Sequence, residues 1–211
     1  MVNITYKYAA KATYTADMPN GVYALELNNL ATSQTVAAVE ALSASTKTTS
    51  FDNLLDIDAP FGAALSIAAS GAYSGKVTIN GYDYLGQMVT EEITANGTTA
   101  VAGAKAFKHI SSITCASGAA VTVTVSRLLK IGLPYKTTKI LAEVRDGANS
   151  TTTQLVAPVL TAGTATSSDP RGLLNLTTYA AAAHIRLILV ADNYISATVG
   201  GGIYGAPQYH A

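Results

Sequence analysis

The sequence predicts an all-β fold, an antiparallel β-sandwich or jelly roll with extended terminal arms, and three observations carry that reading. Apolar and polar residues alternate with period two in several short runs. Short polar segments suited to chain reversal separate those runs. Cys115 is the one cysteine in 211 residues, so no intramolecular disulfide forms and packing must hold the fold. A chain of this length buries roughly 70% of its extended surface, enough for a core without staples.

The first alternating run is Val2, Ile4, Tyr6 and Tyr8 against Asn3, Thr5 and Lys7, a strand with one buried face. No neighbour in sequence offers it a partner, so it is expected to pair with something distant, in some proteins another subunit. Residues 1–8 are therefore read as an N-terminal arm. Ser33 to Ala44 has the choice of a short helix or an Ala-rich strand, and because Val36, Val39 and Leu42 fit a helical stripe only loosely it is read as strand or irregular, the two standing equal. Phe51 to Asp58, with Asp52, Asn53, Asp56 and Asp58, reads as a loop of turn-forming residues.

The middle of the chain is clearer. Strands are predicted at 76–83, 88–95, 107–115 and 120–126. Val77 and Ile79 face one way and Thr78 and Asn80 the other, while Val121, Val123 and Val125 alternate with Thr122, Thr124 and Ser126. Asp83-Tyr84-Leu85-Gly86-Gln87 supplies a turn, and Asn96-Gly97 is a dipeptide that tolerates positive φ. Further on, Thr153 to Leu160 and 184–191 read as strands, the second apolar on both faces and so central in its sheet. Residues 9–199 then form one domain, with a joint between two sheets at 127–134 as the place where it would subdivide. The glycine-rich segment 200–211 forms a C-terminal tail, anchored by Tyr204 and Tyr209.

Composition limits what such a fold does. Thirteen Lys plus Arg balance thirteen Asp plus Glu, and charged residues make up 12% of the chain, about half the usual share. A surface this poor in charge is expected to be hidden in part by a symmetric assembly. Nucleic acid is not an expected partner, since no basic stripe is present to displace counterions. No membrane partner is expected either: the long uncharged stretches are rich in Thr, Ser and Gly, and the N-terminus has no signal-peptide pattern.

A search for chemistry finds no constellation, so the chain is read as non-enzymatic, with no metal and no organic cofactor. His109, His184 and His210 fall in no metal-ligand spacing. Strand alternation puts His109 and Cys115 on one face but about 20 Å apart, too far for proton transfer, so Cys115 is expected in the core. Glu91 and Glu92 are adjacent on a strand and point to opposite faces. Asp52, Asp56 and Asp58 lack the spacing of a calcium loop.

One resemblance remains. The run Val77-Thr78-Ile79-Asn80-Gly81-Tyr82-Asp83-Tyr84-Leu85-Gly86-Gln87-Met88-Val89-Thr90-Glu91-Glu92-Ile93-Thr94 resembles the G-x-D-x-x-G-Q-x-x-x-E-x-I-T hairpin of tailed-bacteriophage virion proteins. The continuation Asn96 to Phe107 is similar to the same group. So are Ala59-Pro60-Phe61-Gly62, Gly132-Leu133-Pro134-Tyr135, Asp169-Pro170-Arg171-Gly172 and Gly202 to Tyr209. Ala63 departs from the pattern, in which an Arg would follow Phe61-Gly62. The resemblance covers residues 25 to 211, and its motifs are structural turns. It implies a virion structural protein that decorates and cements a capsid by binding the major capsid protein across capsomer boundaries. It also implies association with itself as a homotrimer, on the outer surface of a virion assembled in the host cytoplasm. The alternative roles are a tail-tube subunit and a saccharide-binding module of a tail or fibre. Val2, Ile4, Tyr6, Tyr8, Ile203, Tyr204 and Tyr209 are the expected partner-contacting residues.

Overall fold

The computed structural model describes residues 20–28, 30, 34–159, 168–176 and 183–192. The predicted arms 1–8 and 200–211, and with them all seven expected partner-contacting residues, lie outside the described residues. Every regular element among the described residues is a strand, and every strand pair is antiparallel. The fold is all-β, of the sandwich or jelly-roll type.

The described residues form three sheets. In the first, β1 (Asn20–Asn28) pairs with β14 (His184–Asp192), which pairs with β10 (Thr137–Arg145) and through it with the short β11 (Ala148–Ser150). The central sheet is organised by β9 (Val121–Gly132), the longest strand. Its partners are β2 (Gln34–Ala41), β4 (Ala63–Ala69) and β13 (Leu173–Leu176); β7 (Val101–Ala102) and β12 (Thr153–Val156) flank them. The third sheet runs β3 (Lys47–Asp56), β8 (His109–Cys115), β5 (Lys76–Tyr82), β6 (Met88–Thr94).

The β5–β6 hairpin forms as the alternation dictates, with Val77, Ile79, Val89 and Ile93 buried and seven residue pairs in unbroken register. Its turn closes on Asp83: Oδ1 accepts the N–H groups of Leu85 (2.9 Å) and Gln87 (2.8 Å), and Gly86 takes φ +79°. Gly97 adopts φ +55°, as the Asn-Gly signal requires. The core is continuous across the three sheets, from Leu25 and Leu187 through Val123 and Ile67 to Ile79 and Ile113.

Ser33 to Ala44, read as strand or irregular, carries the strand β2 over Gln34–Ala41. The structure departs from sequence expectation in three places. The expected loop Phe51–Asp58 belongs mostly to β3, but its register on β8 jumps from Ser50–Ser112 to Leu55–Ile110, so residues 51–54 loop out of the ladder. The stretch 127–134 is not a joint along its length: β9 continues to Gly132, and the crossing to the first sheet is made at 133–136. His109 and Cys115 do not share a face, because Ser111 is an extra residue in β8 and reverses the alternation. Ile110, Ile113 and Cys115 point inward and His109 outward.

Candidate functional site

Among the described residues, five of the seven buried charged side chains, Asp83, Glu91, Lys105, Asp169 and Arg171, gather at one place. Asp83, at the head of the β5–β6 turn, lies 2.8 Å from Nη1 of Arg171 through its Oδ2. The guanidinium sits 5.0 Å from the centre of the Tyr84 ring, within cation–π range. That ring in turn meets Phe61 edge-on at 5.1 Å, and the Tyr84 hydroxyl donates to the carbonyl of Pro134 at 2.5 Å. Asp169 holds the other side. Its Oδ1 accepts the N–H of Arg171 (2.9 Å), its Oδ2 accepts the N–H of Ala106 (3.0 Å), and its own N–H donates to the carbonyl of Ala104 (3.0 Å). The Arg171 carbonyl accepts the Thr137 N–H at 3.0 Å, which ties the first sheet to the same point.

Glu91 extends this node along β6. Its Oε1 accepts the N–H of Ala104 at 2.5 Å, and Gly103 passes so close that a Cβ there would stand 2.5 Å from Oε2. Lys105, also buried, donates from Nζ to the carbonyl of Thr90 at 2.7 Å. Burial pushes the Glu91 carboxyl up to about 7, against the pull of the Ala104 N–H and the Lys105 charge, and burial likewise lowers the affinity of Lys105 for its proton. Asp83, Asp169 and Arg171 are each 1% exposed, so solutes reach the node only if the fold opens. Chemically it binds loops together: carboxylates cap backbone N–H groups, and one guanidinium bridges two acids.

The stretches that meet here are the landmarks of the phage resemblance. Gly62 shows why one of them needs its glycine. At φ +77° it lies so close to the Phe107 carbonyl that a Cβ would collide with it, while its own carbonyl accepts the Gly132 N–H at 2.9 Å. Ala63, where the pattern would carry Arg, is fully buried and shares two 3.0 Å backbone bonds with Phe107, so this position is interior. The segment Gly202 to Tyr209 lies outside the described residues.

The remaining sequence candidates are dispersed. His109 lies 3.4 Å from Asp56, which also pairs with Lys108 at 2.9 Å. His184 meets Glu26 at 2.5 Å, and that contact holds the Glu26 carboxyl below its usual range. His210 lies outside the described residues. Cys115 is buried, which raises its thiol pKa. Among the described residues, no three His, Cys, Asp or Glu side chains come together as a metal site. A surface groove of about 570 Å³ between 71–74 and 96–98 has one aromatic, Tyr73. That ring is 3% exposed and its hydroxyl donates to the Ala116 carbonyl at 2.7 Å, so it offers no stacking platform for a sugar. Sequence reasoning misses the node: Asp83 and Glu91 are read within local elements, Lys105 is not singled out, and Arg171 lies 88 positions beyond Asp83. The glycines present at each landmark that meets here, joined by proline at three of them, are the available signal.

Comparison with known proteins adds no assignment: no family model, no curated protein and no solved structure matches this chain.

Proposed function

We propose that this protein is a virion structural protein of a tailed bacteriophage, which decorates and cements the capsid by binding the major capsid protein across capsomer boundaries. One observation carries the reading. Five landmark stretches that resemble phage virion proteins, spread from residue 59 to residue 172, converge on the Asp83–Arg171–Asp169 node. Chance likenesses at turns have no reason to meet. A shared architecture does.

The physics of the role is consistent with the molecule. A cement adds contact area between capsomers, with a specific contact expected to bury about 1,000 Å² or more. Repeated copies multiply a modest energy per site, and a trimer matches the local threefold positions of an icosahedral lattice. The charge-poor composition fits a surface largely hidden in an assembly. Imaging purified virions with a label on this protein tests the proposal. Label distributed over the shell is the expected outcome. Label confined to the tail tube or to fibre tips would overturn it in favour of the corresponding alternative.

A further inference from the structure

Each sheet edge among the described residues is guarded except one. A regular open edge is a template for another strand, and proteins blunt it with bulges, short strands, charges or a covering loop. β7, β11 and β12 are two to four residues long. β2 shifts register between Thr35 and Ala37, β3 loops out over 51–54, and β10 shifts twice where it runs past β11. β6 is bridged by the loop 103–105 through Glu91 and Lys105.

Apart from the single charge of Glu26, β1 has none of these devices. It pairs with β14 over nine consecutive residues without a shift, and its only strand neighbour among the described residues is β14. Two rows of the sheet face beside that edge, Val22–Val190 and Ala24–Ile188, are apolar, and no described element covers them. Val22 and Ile188 are each 38% exposed there, and Val190 lies opposite Val22. Polar rows bound this patch on both sides, Asn20 with Asp192 and Glu26 with Arg186.

We infer that the open edge of β1 receives residues 2–8 of a second copy of this chain as an added strand. The occupant is argued from where the chain runs. Residues 1–19 enter the sheet at Asn20, the end of β1 next to the apolar rows. Their alternating segment, with Val2, Ile4, Tyr6 and Tyr8 on one face, suits pairing at an edge with apolar residues beside it. The connection 9–19 is eleven residues long, against two to five for ordinary hairpin loops. Extended, it spans roughly 36 Å, a reach suited to a neighbouring molecule. The inference deepens the assembly reading above and rests on it for the choice of a second copy over the same chain.

Cysteine cross-linking of the full chain tests this, since the native Cys115 is fully buried. Tyr6→Cys is combined in turn with Val22→Cys, Ala24→Cys and Glu26→Cys, and the proteins are oxidised. Covalent oligomers that collapse to monomer on reduction are expected from at least one pair. Links formed only within a chain, or none from any pair, would overturn the inference. Ile4→Pro supplies a second readout, because proline cannot donate to a ladder. It should raise the self-association dissociation constant by about tenfold or more while the monomer melts unchanged. Lost monomer stability with association retained would show that the segment belongs to its own domain. Binding of the same samples to empty shells separates the two proposals. Cross-links without shell binding would sink capsid decoration alone, and shell binding without cross-links would sink the strand exchange alone.

Discussion

β6 and β1 are both regular strands at the margin of a sheet, and they meet the solvent in opposite ways. Along β6, the Glu91 carboxyl accepts from the loop 103–105, the Lys105 ammonium of that loop donates back to the Thr90 carbonyl, and Asp169 and Arg171 fasten the loop to the rest of the molecule. Along β1 no described element does the same, although its inward residues Tyr23, Leu25 and Leu27 are as deeply buried as any. The difference shows what the buried charges are for. Desolvating them is unfavourable, and they are tolerated because they close an edge and join three sheets at one point. An edge without such a closure is left for something else to pair with.

Breaking the closed region should give the largest effect. Arg171→Met leaves Asp83 and Asp169 buried without their cation, which should destabilise the fold by roughly 3–5 kcal/mol. Urea unfolding of the monomer measures this, and a loss under about 1 kcal/mol would mean that the node is not what holds the sheets together.

The next effect is a dependence on pH. The Glu91 carboxyl is raised from 4.5 to about 7 in the fold, so the folded state binds its proton more tightly than the unfolded chain does. The stability from this group is therefore fully present below about pH 4.5 and is lost as pH rises through about 7, on the order of 3 kcal/mol in all. Glu91→Gln, which stays neutral, should flatten this part of the stability profile. An unchanged slope in the variant would assign the titration to another group.

The smallest effect on folding belongs to the open region. Ile188→Thr removes an apolar group that is already 38% exposed, so monomer stability should move by no more than about 0.5 kcal/mol. Self-association measured by sedimentation should nevertheless weaken. A large loss of monomer stability would show that this face packs within its own chain.

What could be read from the sequence follows the same division between wet and dry faces. The β5–β6 hairpin and the first half of β9 were legible because one face is buried and the other solvated, which prints the strand period on the residues. β4 was not: Ala63 to Ile67 are all buried, so alternation disappears and only small and apolar residues remain. β14 was read as central, and it lies between β1 and β10, but its outward face is uncovered at Ile188. The Asp and Asn residues of 51–58 signalled a turn, and the ladder does break there, inside a strand rather than between strands. The node was invisible for a different reason. A buried Glu and a surface Glu are spelled alike: Glu91 lies against the loop, while its neighbour Glu92 pairs with exposed Lys76 at 3.2 Å. Only the fold distinguishes them.

Amide hydrogen exchange along β1 and β6, in the monomer and in the assembled protein, tests the contrast most directly. β6 amides should be equally protected in both states. The β1 amides that do not bond to β14 should exchange quickly in the monomer and become protected on assembly. Protection of those amides already present in the monomer, or unchanged fast exchange in the assembly, would contradict the account.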